Sequence, residues 1–498
     1  MAGSISYRIM LALFAFGATA AHAADYDIVI RGGRVIDPAS GRDEIADVGI
    51  RGRTIVAISK SPLSGKRTLN AKGLVVAPGF IDLHAHGQNP KAQMLQMQDG
   101  VTTALDMEGG AFPIRNMYDA LSGHSIINFG GTTDWSCARF KVIANLSCHG
   151  HWAINQPVDG TLAQQVAARN TPTTPEQEQR IVAMLHDEIA NGALGYGLLL
   201  GYVPGAGHRE IYEIFKAAGA NHYPVFVHAR KFPMGPAPDP SIGSYQEVIA
   251  DAAATGASLQ IVHLPSTFAD DKTPVTLDMI KGARQHGVDV TTEAYPYTAW
   301  SSSLGAATFD PGWQQNGNVT YSDIELVATG ERLTKESFDK LRAAHSNATV
   351  IGYAIPPAVV DLAIKDPDVM IISDGDSWVT GNEHPRGAGT FSRVLGHYVR
   401  EKGLDLKLAI AKMTIMPARR LEAISDQMGR KGRLQVGADA DITVFDPAKI
   451  KDMATYQKPM QPSVGIHYVL VNGVPTLVDG KIVPDVFPGE AVRSTKPL

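Results

Sequence analysis

Cysteine is scarce in this sequence, which has only two such residues, Cys137 and Cys148, among 498. A cluster of thiolate ligands is therefore excluded, and any metal chemistry must rest on imidazole and carboxylate groups. Histidine is more plentiful, with 16 residues in the chain. The two cysteines are close enough along the chain to form a disulfide in an oxidising compartment, with two free buried thiols as the alternative.

An excess of positive charge is also missing. The chain has 45 lysines and arginines against 50 aspartates and glutamates, which gives a formal net charge of −5. No basic surplus is present to neutralise phosphates, so the composition argues against nucleic acid as the main partner. A hydrophobic content of 44% with 19% charged residues is typical of a globular protein, and it argues against disorder and against a polytopic membrane protein.

The apolar run near the N-terminus is too short to span a membrane. It covers Ile9–Ala18, follows the single charge of Arg8, and ends in the small-x-small pattern Ala21-His22-Ala23. This pattern predicts a signal peptide over residues 1–23, with an uncleaved anchor as the alternative. We therefore expect a periplasmic or secreted chain that has no membrane contact after cleavage. The sequence leaves open whether copies of the chain form a homo-oligomer.

Short alternating strands separated by turn residues occur at both ends of the mature chain. Residues 26–59 contain several such strands, punctuated by glycine and proline, and residues 440–483 repeat the pattern. Two all-β ends around a different middle predict one small β-sandwich domain. We assign residues 24–75 and 421–498 to this domain.

The middle of the chain alternates apolar runs with helical patterns such as Pro175–Ala190, which follows a capping Thr174. Eight such runs predict an α/β fold with a (β/α)8 barrel over residues 76–420 and an insertion around residues 301–348. The predicted strands are Leu74–Ala77 continuing into Phe80–His84, Thr102–Glu108, Ser125–Phe129, Leu194–Leu200, Val225–His228, Leu259–His263, Val288–Glu293 and Val369–Ser373.

Histidines and carboxylates stand where the predicted barrel strands end. His84 and His86 are two residues apart, so on an extended backbone their side chains point to the same side. Because the carboxyl ends of barrel strands face one mouth, the side chains there are expected to converge on an active site. Imidazole and carboxylate ligands suit Zn²⁺ or a similar divalent ion. The candidate ligands are His84, His86, Glu108, His228, His263 and Asp374.

A second cluster of metal-binding residue types lies within the chain, at Cys137, Cys148, His149 and His151. Its spacing matches no common zinc template. We therefore predict a loop there, with or without a disulfide, rather than a metal site.

Two segments, Pro78–His86 and Gly437–Ile442, have the character of family motifs. The first resembles the first-strand signature of the amidohydrolase superfamily, and the second resembles its C-terminal sheet motif. Four further segments are similar to the N-acyl-D-amino-acid deacylase branch: Tyr295–Ala299, Ser373–Gly375, His384–Phe391 and Met413–Leu421. The resemblance covers nearly all of the mature chain. It implies a zinc-dependent hydrolase that cleaves the linear amide bond of N-acyl amino acids, with the D series favoured.

The chain departs from the typical D-aminoacylase pattern at two positions. Those enzymes have a metal-binding cysteine near the position of Glu108, where this chain offers no thiol, so the carboxylate is expected to take its place. They also have a lysine shortly after the position of His263, where this chain reads Leu264-Pro265-Ser266-Thr267. The missing lysine leaves the exact substrate open.

The resemblance also implies how the ligands divide. His228, His263 and Glu108 would hold one tightly bound ion, and His84 and His86 with Glu108 would form a second, weaker site. Glu108 serves both sites because a carboxylate can bridge two ions.

Three further roles follow from the chemistry of amide hydrolysis. Asp374 would take the proton of the attacking water and pass it to the leaving nitrogen, or it would serve only as a ligand. Arg386 would grip the substrate carboxylate with two hydrogen bonds, or it would form a surface ion pair. Tyr295 or Tyr297 would add a hydroxyl group, or pack in the core.

Two other function classes compete with the deacylase. Another amidohydrolase reaction, such as that of a cyclic amidase or a dipeptidase, would be favoured if Arg386 lay far from the metal ligands. A non-catalytic binding protein on this fold is a weaker alternative, because such proteins lose ligands and this chain keeps them.

Overall fold

The computed structural model has a parallel eight-stranded sheet at its centre. The structure describes residues 25–148, 158–230, 240–267, 272–317, 319–344, 348–378 and 381–497. The predicted signal peptide lies outside these residues. Within them, no helix combines the length and the apolar character that crossing a membrane requires.

The strands alternate with helices through the middle of the chain and follow one another at both ends. In chain order the strands are β1 (Tyr26–Asp37), β2 (Arg42–Arg51), β3 (Thr54–Ser59), β4 (Gly65–Asn70), β5 (Val75–Pro78), β6 (Phe80–Asp82), β7 (Val101–Ala111), β8 (Asn128–Asp134), β9 (Tyr196–Leu199), β10 (Pro224–His228), β11 (Ser258–Ile261), β12 (Val290–Ala294), β13 (Trp300–Ser303), β14 (Ile324–Leu326), β15 (Glu331–Arg332), β16 (Thr349–Gly352), β17 (Val369–Ile371), β18 (Ile442–Phe445), β19 (Ile466–Val471), β20 (Val474–Val478) and β21 (Lys481–Ile482). The α-helices are α1 (Pro90–Gln98), α2 (Ile114–Leu121), α3 (Trp135–Ala144), α4 (Leu162–Asn170), α5 (Pro175–Ala190), α6 (His208–Asn221), α7 (Pro240–Thr255), α8 (Leu264–Thr267), α9 (Lys272–Gln285), α10 (Trp313–Gly317), α11 (Lys335–Ala344), α12 (Pro357–Lys365), α13 (Arg386–Arg393), α14 (Leu406–Met413) and α15 (Ile415–Leu421). Short 3₁₀ turns occur at Leu200–Tyr202, Ala307–Phe309, Tyr321–Asp323 and Met428–Arg430, and a π-helical segment follows α13 at Val394–Glu401.

The central sheet has the strand order β17-β12-β11-β10-β9-β8-β7-β6, with parallel pairing throughout. Its two outer strands meet just beyond their ends, where Ala85 pairs with Gly375 and the backbone N–H of Asp374 donates to the carbonyl of His84 at 2.8 Å. The sheet is therefore rolled into a nearly closed barrel. The predicted fold class is confirmed, and most of the predicted barrel strands lie within two residues of the observed ones.

Local sequence accounts for the helices around the barrel. Helix α5, for example, begins with Pro175 after Thr174, whose hydroxyl accepts the N–H of Gln177 while the Gln177 side chain accepts the N–H of Thr174. This reciprocal capping satisfies two of the backbone donors that a helix start leaves free. Ile181, Leu185 and other buried residues of the helix face the barrel core.

The third barrel strand lies later than the predicted range 125–129, because β8 begins at Asn128 and continues through Gly130 and Gly131. The apolar pattern ends at these two glycines, which sequence reasoning treats as a break. In the structure both glycines belong to the strand. A residue without a Cβ is needed there because neighbouring backbone comes very close. A Cβ atom at Gly131 would lie only 2.8 Å from the carbonyl oxygen of Asp106.

Strands from both chain ends form a single sheet, with the order β21-β20-β19-β18-β5-β1-β2-β3 and with β4 paired to β1. The N-terminal β5 pairs antiparallel with the C-terminal β18, for example at Ala77 and Thr443. Buried side chains such as Val48, Ile442 and Leu470 form a separate apolar cluster here. The exact boundaries proposed for this domain stay a prediction.

The segment between the seventh and eighth barrel strands adds a small antiparallel sheet of the order β13-β16-β14-β15. Its first strand starts at Trp300 and its last ends at Gly352, so it spans the stretch predicted as an insertion. Residues 300–303 of this sheet line the cavity at the mouth of the barrel.

Candidate metal centre

The barrel brings all six candidate ligands to one mouth. His228 closes β10, Glu108 lies within β7, and the others lie two to four residues after the ends of β6, β11 and β17. His263 and Asp374 have backbone φ angles of 28° and 55°, in the left-handed region that residues with a Cβ rarely adopt. Such strain persists where the surrounding structure imposes it, and it is common at functional sites.

Four of the ligands form one half of the site. The Nε2 atoms of His84 and His86 lie 3.2 Å apart, and each is 3.3 Å from Oε2 of Glu108. Oδ1 of Asp374 lies 3.3 Å from the first and 3.4 Å from the second. Two imidazole nitrogens and two carboxylate oxygens thus face one point.

The other oxygen of Glu108 organises the second half. Its Oε1 lies 2.8 Å from Nδ1 of His228 and 2.8 Å from Nε2 of His263, and these two nitrogens are 3.1 Å apart. One carboxylate therefore joins two pairs of histidines, which is the arrangement that sequence analysis expects for a bridging ligand. The ligand atoms of His84, Glu108 and His263 also lie within 4.8 Å of one another, so the halves are contiguous.

The charges of the site fit a divalent cation. Burial disfavours the charged form of His84, but Asp374 and Glu108 outweigh it and raise the pKa of this imidazole well above its ordinary value. Burial also disfavours ionised Glu108, yet His84 and the hydrogen bonds of His228 and His263 hold its pKa well below the usual range. The negative potential that stabilises these imidazolium protons is the potential that would attract a cation in their place. Nitrogen and oxygen donors of this kind suit Zn²⁺.

Two carboxylates that sequence analysis did not assign orient the histidines from behind. Nδ1 of His84 donates to Oε1 of Glu293 at 2.7 Å, and Nδ1 of His86 donates to Oδ2 of Asp106 at 3.2 Å. Such bonds leave Nε2 free to bind an ion. Sequence signals did exist: Glu293 ends the seventh predicted strand, and Asp106 lies two residues before Glu108, on the same face of β7.

Arg386 lies beside the candidate metal ligands rather than at the surface. Its guanidinium contacts Oδ2 of Asp374 at 2.7 Å, and only 3% of its side chain is exposed. Burial lowers the pKa of Arg386, but Asp374 more than compensates and raises it, so the group stays charged. In return, Arg386 and His84 overcome the effect of burial on Asp374 and hold its pKa well below the usual range.

The two candidate tyrosines lie in different surroundings. The ring of Tyr295 stacks under Arg386, with 4.8 Å between the guanidinium carbon and the ring centroid. Tyr297 packs against Tyr456 and against His384, which the ring of Tyr295 also contacts, and neither tyrosine is among the residues that line the cavity. The chain leaves the extended conformation after β12, so the two tyrosines do not share one face. The structure thus brings Tyr295 near the ligands and places Tyr297 in aromatic packing.

A cavity of about 430 Å³ opens from the metal ligands toward the small antiparallel sheet. Tyr202 lines it, with its ring 4.8 Å from that of His228 and its hydroxyl 3.5 Å from the Ser302 hydroxyl. Burial, with the nearby charge of Glu108, raises the pKa of Tyr202 to about 12, so the hydroxyl stays a neutral donor. No sequence motif pointed to Tyr202, because its position depends on the turn after β9.

Cys137 and Cys148 form a disulfide, with their Cα atoms 5.2 Å apart. Both sulfur atoms are joined, so they cannot act as thiolate ligands. His149 and His151, the other members of this second cluster, lie outside the described residues. Cys148 is among the residues that line the cavity.

We expect removal of this disulfide to destabilise the protein. A double Cys137→Ser, Cys148→Ser variant should lose about 2–4 kcal/mol of unfolding free energy, because the unfolded chain regains the freedom of the closed loop. Denaturant unfolding of the oxidised protein and the variant measures the difference. Equal midpoints, with the bond verified by thiol labelling, would show that the bond adds nothing to stability.

The comparison with known proteins agrees with the geometry. A family model described as the amidohydrolase family matches residues 67–483. The N-acyl-D-glutamate deacylase of Alcaligenes xylosoxydans xylosoxydans is 31% identical over 501 aligned residues, which cover 94% of this chain and 96% of the relative. The D-aminoacylase of the same organism is 28% identical and covers 90% of this chain and 94% of its own.

A solved structure extends the agreement to three dimensions. The crystal structure of an N-acyl-D-glutamate deacylase from Bordetella bronchiseptica, complexed with zinc and a phosphonate inhibitor, has a TM-score of 0.73 and 26% identity to this chain. The match covers 94% of this chain and all of that one. The resemblance read from the motifs is therefore confirmed, and the chain belongs to the amidohydrolase family.

Proposed function

We propose that this protein hydrolyses the amide bond of N-acyl amino acids, with the D series as its substrates. The observation that carries the proposal is the carboxylate of Glu108, which joins two histidine pairs directly beside the charged pair of Asp374 and Arg386. The relatives support the same reaction, since they are named as deacylases of D-amino-acid derivatives.

Six side chains would hold zinc in this proposal, with Glu108 shared between two positions. His228 and His263 complete one position, and His84, His86 and Asp374 complete the other. A bound ion supplies a Lewis acid for the amide carbonyl and makes a water molecule acidic enough to attack at neutral pH. The related Bordetella enzyme is described as a zinc complex, which supports this choice of ion.

Asp374 is the group that we propose to move protons. Its low pKa keeps it ionised, so it can accept a proton from the attacking water. The same carboxyl group then returns that proton to the leaving nitrogen, which must depart as an amine. Asp374 lies beside both His84 and Arg386, so the carboxylate is held between the ligand cluster and the substrate cavity.

Arg386 is placed to bind the α-carboxylate of the substrate, while Tyr295 supports its guanidinium from below. A cyclic amidase would be favoured by an Arg386 distant from the ligands, but its guanidinium is 2.7 Å from Asp374. The intact ligand set likewise argues against a binding protein that has lost its chemistry.

Replacing Arg386 by glutamine should weaken substrate binding. We expect kcat/KM for an N-acetyl-D-amino acid to fall about 10- to 100-fold, the usual effect of losing a charged hydrogen-bond partner. Metal content should change little. Arg386→Lys keeps the charge but loses the planar guanidinium group. Its kcat/KM should therefore lie between those of the wild-type protein and the glutamine variant. Normal kcat/KM in the glutamine variant would show that Arg386 does not bind the substrate carboxylate, and a fall in kcat with KM unchanged would assign Arg386 to the support of Asp374.

We also propose that the chain is exported and loses residues 1–23. The disulfide between Cys137 and Cys148 supports this, because such bonds persist mainly in oxidising compartments. N-terminal sequencing of the protein from a native periplasmic extract should find Ala24 first. A cytoplasmic chain that begins at residue 1 would contradict the proposal.

The experiment that tests the proposed reaction is a hydrolysis screen. Zinc-loaded protein is incubated with matched N-acetyl-D- and N-acetyl-L-amino acids, and the released amine is measured. We expect turnover of D substrates above L substrates. Absence of amine release from every compound, together with cleavage of a cyclic amide, would replace the proposal with the cyclic amidase.

A further inference from the structure

The cavity contains a second arginine that amide hydrolysis alone does not require. Arg169 lies near the end of α4 and lines the same cavity as the metal ligands and Arg386. Its NH1 donates to the carbonyl of Gly305 at 2.6 Å, and its NH2 lies 3.3 Å from Oδ1 of Asp310. These contacts fix the guanidinium against the segment that follows β13.

The charges around Arg169 do not balance. Arg342, on α11, contacts the same oxygen of Asp310 at 2.6 Å, so two guanidinium groups share one carboxylate. The charged groups that act on the pKa of Arg169 are Asp310 and Arg342, after the lowering effect of burial itself. One positive charge is therefore left over, beside a cavity that must accept an anionic substrate.

Several buried polar atoms of residues that line the cavity have no hydrogen-bond partner within the described part of the chain. Some belong to Arg386 and Asp376, beside the candidate ligands, and two others are Nε of Arg169 and the hydroxyl oxygen of Ser301 on β13. A buried donor without a partner costs free energy, so such atoms mark places where a ligand or water completes the bonding. Arg169 is also the more buried of the two arginines, with 12% of its side chain exposed against 25% for Arg342.

Resting on the proposed deacylase function, we propose that Arg169 binds a second carboxylate of the substrate. Arg386 takes the α-carboxylate beside Asp374, and Arg169 with Ser301 takes an acidic group elsewhere in the molecule. The cavity volume of about 430 Å³ lies within the range of small-ligand pockets, about 300–1,000 Å³. The substrates would thus be dicarboxylic N-acyl amino acids.

Asp134 is one of the carboxylates that line this cavity, and its charge is already stabilised by other groups. Its Oδ1 accepts the Ser136 hydroxyl at 2.6 Å and the backbone N–H of Cys137 at 3.1 Å. Its charge is therefore stabilised at the N-terminus of α3. Asp310, in turn, is already shared by the two arginines.

The second carboxylate could belong to the amino-acid side chain or to the acyl group, and the experiment separates the two. N-acetyl-D-glutamate is compared with its neutral isostere N-acetyl-D-glutamine, and N-succinyl-D-leucine with N-acetyl-D-leucine. In wild-type protein, kcat/KM for the acidic member of one pair should exceed that for the neutral member about 10- to 100-fold. Similar kcat/KM values within both pairs would overturn the proposal, whatever the variants do.

Matched variants assign the preference to one arginine. Arg169→Gln should abolish it while neutral substrates keep their kcat/KM, and Arg169→Lys should retain part of it. Arg342→Gln is the control, since Arg342 contacts the same Asp310 but does not line the cavity, and it should keep the preference. Equal loss in both glutamine variants would make Arg169 a structural residue. Melting temperatures identify any variant that fails to fold.

Failure of the deacylase function would look different. In that case no amine is released from any substrate, including N-acetyl-D-leucine. Calorimetric binding of N-acetyl-D-glutamate and N-acetyl-D-glutamine to the same zinc-loaded protein then tests the inference without turnover. Tighter binding of the acid in wild-type protein but not in Arg169→Gln supports the second carboxylate site, and equal Kd values in wild-type protein overturn it.

Discussion

Replacing Asp374 by asparagine should lower turnover by roughly 10²–10⁴-fold, the usual contribution of a positioned acid–base group. The amide has nearly the same shape, so the fold and much of the bound zinc should remain. The lost function is the transfer of a proton, for which the asparagine side chain has no capacity. Despite burial, Arg386 and His84 hold the pKa of Asp374 well below the usual range, so its carboxylate stays available as a proton acceptor at acid pH. The variant has no such group at any pH, so its turnover should stay low across the whole pH–rate profile.

Asp376→Asn provides the matched control. Asp376 lines the same cavity two residues further on, and it is not among the residues to which we assign a role. We expect it to keep most of the turnover. If Asp374→Asn loses zinc instead of slowing the chemistry, Asp374 is mainly a ligand. An unchanged rate with zinc in place would mean that another group moves the proton.

Replacing Glu108 by glutamine should affect both metal content and activity. The variant keeps the shape of the side chain but removes the charge that the four histidines surround. Its amide would also direct a donor group toward one histidine pair, where a ligand oxygen now lies. We expect metal affinity to fall by more than the roughly 10- to 100-fold that follows loss of an outer hydrogen bond, and turnover to fall with it. Elemental analysis of the dialysed protein measures the first effect.

Glu293→Gln is the comparison that separates a ligand from its support. Glu293 is bonded to His84 at 2.7 Å from the side away from the ligand cluster, and Gln260 donates to its other oxygen. Its loss should weaken metal binding by about 10- to 100-fold, less than the loss of Glu108. Normal zinc content and turnover in Glu108→Gln would show that this carboxylate is only a buried residue of β7.

The candidate ligands could be predicted from the sequence because each is marked by the residues directly before it. A histidine or a carboxylate at the end of a parallel strand can be read from the apolar run before it, as with His228 after Val225. The barrel then supplies convergence without further information, since all its strands end at one mouth. The same reasoning predicted Glu108 as a ligand, because it ends a predicted strand, even though the typical cysteine of D-aminoacylases is missing.

The sequence did not identify residues whose partners lie far away along the chain. Glu293 also ends a predicted strand, but its partner is His84, 209 residues earlier. Arg169 lies in a helix between two barrel strands, and only folding places it beside Gly305 and the cavity. Nothing in the residues around position 169 distinguishes it from an ordinary surface arginine of an amphipathic helix.

Tyr297 shows a different limit of sequence reasoning, in which a motif offers more candidates than the structure brings to the site. Its motif, Tyr295-Pro296-Tyr297, offers two equivalent tyrosines to any reading of the sequence. After β12, the ring of Tyr295 lies under Arg386, whereas the ring of Tyr297 lies under Arg393 and packs against Tyr456. Which of the two reaches the site is decided by backbone geometry that a motif does not contain.

Hydrolysis should depend on divalent ions held around Glu108. The most direct test removes all metal from wild-type protein with a chelator, verifies its absence by elemental analysis, and then adds Zn²⁺ in steps. Amine released from an N-acetyl-D-amino acid is recorded against the zinc bound per chain. We expect no turnover without metal, and recovery of turnover as the first equivalent of zinc binds. Full turnover by verified metal-free protein would contradict this dependence on metal.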